Sequence, residues 1–167
     1  NPSKYWDNNV LGTVNLVNVM NKYQCHTLVH SSSACVYGNS KTGNLNELDD
    51  VSPNNPYGKT KLEIEKLLNN LQITMKKNWR VANLRYFNPA GAHYSGIIGD
   101  YPKGKFKNIF PLLTKVAAKE ITHLKIFGSK WPTPDGTCIR DYVHVMDLVE
   151  GRFYVMKHLL KNNSQNL

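Results

Sequence analysis

The segment from Pro56 to about Lys76 sets Ile64, Leu67, Leu68, Leu71 and Met75 on one face of a helix, and β-favouring runs stand on both sides of it. Before it come Thr27-Leu28-Val29-His30, running into Ser31-Ser32-Ser33; after it come residues Arg80 to Tyr86. Pro56 suits the first helical position, where a missing N–H is no loss. Strand, long helix and strand in that order predict an α/β chain with a parallel sheet. The remaining pattern fits this reading. Val10, Val14, Val17 and Met20 predict a helix from about 8 to 23, and the polar stretch 38 to 55 predicts a loop. Beyond Tyr86, glycines and prolines predict a long irregular stretch. A helix near 109 to 119, a short strand at 124 to 127, a Gly/Pro loop to Arg140 and a last helix from Asp147 follow.

Charge and composition exclude several classes. The net charge is +9, but the lysines are scattered; the longest basic run is Lys76-Lys77 and the one local cluster is Lys103, Lys105 and Lys107. Without a binding motif or a basic-aromatic stripe, this charge reads as a solvated surface and no nucleic-acid partner is expected. No apolar run approaches the roughly 18 residues of a membrane helix, so no membrane partner is expected. Cys25, Cys35 and Cys138 lack CxxC spacing, and no signal-peptide pattern opens the chain. Together these predict a cytoplasmic protein, in which Asn162-Asn163-Ser164 is a chance sequon.

The chemistry-bearing pair is Tyr57 and Lys61. Residues four apart share one helical face, and an ammonium near a phenol favours the phenolate. Tyr37/Lys41 and Tyr101/Lys105 have the same spacing, but Gly38, or Pro102 and Gly104, interrupts their helical context. Only Tyr57 opens a long amphipathic helix. Ser33 ends a strand at the expected carboxyl edge of the sheet, where open α/β folds bind ligands, and its hydroxyl can join a proton relay with the phenol. No metal site is expected. His26 and His30 lie about 13 Å apart along a strand, and His93 and His144 have no suitably spaced partners.

Residues Ser31 to Gly38 with Pro56-Tyr57-Gly58-Lys59-Thr60-Lys61 resemble the extended short-chain dehydrogenase/reductase superfamily. Arg85 to His93, Asp135 to Leu148, and Asn8-Asn9-Val10 with Gly12-Thr13 narrow the resemblance to the UDP-glucose 4-epimerase family, in matching order along nearly the whole chain. The resemblance implies a partial Rossmann-like parallel sheet, comprising its later strands and helices, plus part of a smaller substrate-binding domain. Residues 1–88 would be the second half of the dinucleotide-binding domain. Residues 89–167 would be largely substrate-binding, with returning Rossmann elements. It implies bound NAD and a UDP-sugar substrate, interconverting UDP-glucose and UDP-galactose through a 4-keto sugar, in a homodimer. Tyr57 would be the acid/base, assisted by Ser33, with Lys61 holding the cofactor ribose. Asn8 and Phe87 would line the nicotinamide. Asn88 and Asn108 would contact the diphosphate and sugar, Phe127 the uracil and Arg140 the pyrophosphate, with Tyr142 in the same pocket. A guanidinium also suits bidentate phosphate contact on chemical grounds.

Three rival readings stand beside this one. A 4,6-dehydratase of the same scaffold would carry an acidic pair where Ala34 and Cys35 stand. Uronic- or pentose-sugar epimerases and decarboxylases are excluded less firmly, and an inactive nucleotide-binding relative is opposed by the joint presence of Ser33, Tyr57 and Lys61. The Gly-rich dinucleotide turn of the family is absent, and the chain opens on Asn1, so it is expected to be a central piece of a longer enzyme. Such a piece would expose a sheet edge and an apolar face. Expressed alone, the 167 residues are therefore expected to aggregate or stay molten and to lack epimerase activity. Measurable interconversion of UDP-glucose and UDP-galactose by the purified chain would overturn this.

Overall fold

The structure is a computed structural model and describes residues 1–39, 43–75, 79–100, 102, 104, 106 and 108–161. Outside these fall Lys76 and Lys77, the lysine cluster at 103, 105 and 107, the partners Lys41 and Tyr101 of the two competing tyrosine–lysine pairs, and the sequon at 162–164. The chain forms two compact units, one of residues 1–87 with 151–167 and one of residues 88–150.

The first unit opens earlier than the periodicity predicts. The Asn1 side chain accepts from the Ser3 amide and Pro2 takes the first helical position, so α1 (Pro2–Tyr5) begins at once. A wide π-helical turn, Trp6–Leu11, carries it into α2 (Gly12–Lys22). Gln24, in a left-handed conformation at φ 55°, lets the chain leave the helix. β1 (Thr27–Ser33) then pairs in parallel with β2 (Arg80–Tyr86), from Thr27 opposite Arg80 to Ser33 opposite Tyr86. The serines end the strand as expected, with Ser33 its last residue opposite Tyr86, and the ladder to β2 satisfies their backbone groups.

Helix α3 (Pro56–Thr74) connects the two strands. Its Ile64 and Leu68 pack with Val17 of α2, Trp79 and Val81 into one core cluster. Met75, expected on that apolar face, lies past the helix end and is exposed. Val29 and Ala82 face Leu159 of α5 (Val145–Lys161), so helices cover both faces of the pair, as a parallel sheet requires. This is a partial Rossmann-like α/β fold.

The second unit holds two elements that the residue pattern did not predict. β3 (Asn88–Ala90) and β4 (Tyr142–His144) pair in parallel, with Asn88 opposite Tyr142. Gly91, at φ 86°, lies so close to the His144 ring that a Cβ would stand 2.5 Å from it. The expected strand at 124–127 is not formed. A strand needs a neighbour for its backbone groups, and none lies beside this stretch among the described residues. Helix α4 is Ile109–Ala117, and α5 begins two residues before the expected Asp147. No helix among the described residues is long and apolar enough to cross a membrane.

The core at Leu68, which is 0% exposed, has no solvent into which a truncation could relax. In the intact protein carrying these residues, Leu68→Ala should lower stability by about 2–5 kcal/mol in urea unfolding. Leu48→Ala, at a 96% exposed position, should change it by less than about 0.5 kcal/mol. Equal effects at the two sites would contradict the assigned core.

Candidate active site

Two helix-start signals and one glycine bring the sequence-predicted residues together in the first unit. The Asn55 side chain accepts from the Gly58 amide at 2.8 Å, and Pro56 follows, so α3 starts with Tyr57 in its first turn. Across from it, β1 ends at Ser33, whose hydroxyl accepts from the Cys35 amide at 3.2 Å and caps the 3₁₀ turn Ala34–Val36. The helix start meets this turn at Gly58. A Cβ there would lie 2.5 Å from the Cys35 carbonyl oxygen. Only a glycine permits that approach, and the approach brings Tyr57 to Ser33.

The Ser33 side chain lies close enough to the Tyr57 phenol to act on its ionisation. Burial pushes the Tyr57 phenol above its ordinary value, the Ser33 hydroxyl pulls it down, and the neighbouring Cys35 and Tyr5 push it up. The net direction is upward. The Lys61 ammonium sits 5.8 Å from the Tyr57 ring centroid and donates to the Ser31 carbonyl at 2.8 Å. Its own pKa is lowered by burial. The neighbour that pulls the phenol down in this structure is Ser33.

Several neighbours carry no local sequence signal. Tyr5 of α1 stands edge-on to Tyr57, with ring centroids 5.8 Å apart. Asn9, next to the predicted Asn8, donates to the Thr60 hydroxyl at 3.0 Å and ties the π-helical turn to α3, while Asn8 is exposed. Arg152 of α5 donates to the Ser31 hydroxyl at 2.8 Å and the Val29 carbonyl at 3.1 Å. Tyr37, expected to enter a surface loop, is buried and accepts from Arg85 at 2.9 Å. Each of these contacts joins residues far apart in sequence, which local pattern cannot register. Phe87 lies just past β2, exposed, beside Tyr86, whose buried hydroxyl has no hydrogen-bond partner among the described residues. An unpartnered hydroxyl, two further hydroxyls and an ammonium at the carboxyl ends of parallel strands suit a ribose and a carboxamide, so this chemistry fits a nicotinamide nucleotide.

In the second unit, a cavity of about 1030 Å³ is lined by Asn88, Asn108, Phe110, Arg140 and Tyr142, among others. Asn88 donates from its side chain to the Asp141 carbonyl at 2.9 Å, and Tyr142 packs edge-on to Phe110 at 5.2 Å. The Arg140 guanidinium bonds to the Ile139 carbonyl at 2.9 Å, and among the described residues no carboxylate forms an ion pair with it. Asp100 also lines the cavity. Four predicted substrate residues thus share one cavity. Phe127 does not line it and is 86% exposed.

A strand-end serine, a helix-start tyrosine and a lysine one turn on, beside parallel strands, are the arrangement that the sequence predicts for a dehydrogenase-like α/β protein. The sequence signature of the NAD dependent epimerase/dehydratase family matches residues 1–167, and the chain belongs to that family. It is 44% identical to a UDP-glucose 4-epimerase of Cyamopsis tetragonoloba, over 98% of this chain and 46% of that protein. It is 42% identical to a bifunctional UDP-glucose 4-epimerase and UDP-xylose 4-epimerase of Arabidopsis thaliana, with the same two coverages. Among solved structures it matches a UDP-glucose-4-epimerase from Stenotrophomonas maltophila with bound NAD and formylated UDP-arabinopyranose. The TM-score there is 0.91 and the identity 38%, over 99% of this chain and 50% of that one. The chain spans about half the length of the curated relatives it matches.

Gly58→Ala tests the close approach. Alanine improves helix propensity by about 1 kcal/mol, so a free helix would gain stability. Here the melting temperature of the intact protein should fall, because the new methyl meets the Cys35 carbonyl. A rise in melting temperature would refute the approach.

Proposed function

We propose that the intact protein carrying these residues interconverts UDP-glucose and UDP-galactose by reversible 4-epimerisation, with NAD as cofactor. The convergence of Ser33, at the end of β1, and Tyr57, at the start of α3, with Lys61 one helical turn away is the observation that carries this reading. The printed activities of the relatives, and the NAD bound in the Stenotrophomonas maltophila structure, support it.

Tyr57 takes the proton from the sugar 4-hydroxyl and returns it. Ser33 holds the phenol in place and stabilises its charged form. Lys61 holds the ribose of the cofactor, with Asn8 and Phe87 on the nicotinamide side. When bound, NAD supplies the reversible acceptance of hydride from the sugar and a positive charge beside the phenol. Asn88, Asn108 and Tyr142 orient the UDP-sugar, and the Arg140 guanidinium neutralises its pyrophosphate. Phe127 reaches the uracil in this reading. Residues 1–88 then serve the dinucleotide and residues 89–167 mainly the sugar nucleotide. The protein is a cytoplasmic homodimer in galactose metabolism, with no nucleic-acid partner.

A second reading, epimerisation of UDP-pentoses, is favoured by the Arabidopsis thaliana relative named for both activities. Comparing turnover of UDP-galactose, UDP-xylose and UDP-glucuronate separates the two. In a coupled UDP-galactose to UDP-glucose assay, Tyr57→Phe should lower kcat by about 10²–10⁴-fold while NAD remains bound. Wild-type turnover in that variant, or no epimerase activity in the wild type, would sink the proposal.

A further inference from the structure

The face of α3 that bears Tyr57 and Lys61 carries a third polar residue. Glu65 stands four residues beyond Lys61 and eight beyond Tyr57, so all three share one helical stripe. Unlike the other two, Glu65 is only 3% exposed. Two partners hold it. The Ser32 hydroxyl donates to Oε1. Arg85 donates to both carboxylate oxygens, Nε at 3.1 and 3.3 Å and Nη2 to Oε2 at 2.8 Å. The same guanidinium donates through Nη1 to the Tyr37 hydroxyl at 2.9 Å and lies 4.9 Å from that ring's centroid. One carboxylate therefore links α3, the end of β1, the end of β2 and the turn that follows Ser33.

Stability alone is a weak reason for this arrangement. A buried ion pair returns little more than its desolvation takes, and apolar residues of equal volume often do as well. What a bidentate, hydrogen-bonded pair adds is direction. Ile64 and Leu68 can pack against the sheet with some play in rotation and translation, since dispersion contacts have no preferred angle. The Ser32–Glu65–Arg85 bonds do not allow that play. Ser32 is also the residue immediately before Ser33, whose hydroxyl meets the phenol.

We propose that Glu65 is a positioning residue for the Ser33–Tyr57 pair: held by Arg85, it fixes Ser32, and with it the end of β1 that carries Ser33, at its spacing from the first turns of α3. The inference deepens the reading of Tyr57 as the acid/base and rests on it for its catalytic consequence.

Ser32→Ala is the informative variant, because it removes one bond and changes no charge. Tyr5 of α1, Cys35 of the turn and Lys61 of α3, the groups around the phenol, keep their charges, and the Glu65–Arg85 pair remains. Moving Ser33 away from the phenol weakens the influence that pulls it down, so Tyr57 should titrate at higher pH. In the intact protein, the rising limb of kcat against pH should move upward. At neutral pH kcat should fall about 10- to 100-fold, with KM for the UDP-sugar unchanged within about twofold. In a Ser33→Ala background, Ser32→Ala should have no further effect on the phenol, since the effect acts through Ser33.

Phenolate absorbance of the protein minus that of Tyr57→Phe reads the same shift without turnover, so the inference is testable even where epimerase activity is absent. Glu65→Gln provides a sign test. Acting through charge alone, loss of a carboxylate would move Tyr57 to lower pH; acting through position, it moves it to higher pH. The inference is overturned by an unmoved phenol titration in Ser32→Ala, by a downward shift in Glu65→Gln, by additivity with Ser33→Ala, or by loss of fold in both variants.

Discussion

The close contact between the first turn of α3 and the turn after β1 is the constraint on which the site depends. Gly58 stands where a Cβ would press 2.5 Å from the Cys35 carbonyl oxygen, and both Asn55 and Pro56 hold the helix start in place there. The glycine gives up about 1 kcal/mol of helix propensity relative to alanine, a small amount beside a backbone clash. In return a tyrosine from a helix and a serine from a strand, 24 residues apart in sequence, come close enough for the serine to act on the phenol. Lys61 and Glu65 follow along the same stripe, one half-buried and one buried.

The electrostatics of that approach are opposed. Partial burial of the phenol disfavours the phenolate, and Ser33 favours it, with burial the larger influence. The Lys61 ammonium, which chemistry would assign to acidifying the tyrosine, is bonded to the Ser31 carbonyl and is itself pushed toward neutrality by burial. Each pKa unit corresponds to about 1.36 kcal/mol, so a base working near neutrality needs a further favourable charge. In the proposed reaction the cationic nicotinamide fills that need, which couples proton removal to the presence of the oxidised cofactor. His30, lower on β1, shows the same competition. Burial lowers its pKa against the hydrogen bond to Asn83, with Lys61 and Arg152 adding to the lowering and Glu65 opposing it.

The second unit divides the labour differently. Its cavity carries amides, aromatic rings and one arginine without a carboxylate partner among the described residues, which is the chemistry of orienting and neutralising rather than of proton transfer. Its two strands are three residues each, and one contains Pro89, which lacks a ladder donor and therefore suits an edge.

The sequence by itself determined the strand–helix–strand order, the apolar stripe of Ile64, Leu67, Leu68 and Leu71, and the pair of Tyr57 and Lys61, because each is set by local periodicity or by a four-residue repeat. Asn108, Arg140 and Tyr142 follow from the family resemblance rather than from any local pattern. Tertiary structure alone decided the pairing of β3 with β4, the failure of 124–127 to form a strand, and the burial of Tyr37. All three depend on whether a backbone or side-chain partner is supplied from elsewhere in the chain. The same holds for the direction of the Tyr57 pKa. Spacing sets which groups can meet, but desolvation and the hydrogen bond each group finally makes depend on packing, and here packing gave the Lys61 ammonium to a carbonyl and left Ser33 to serve the phenol.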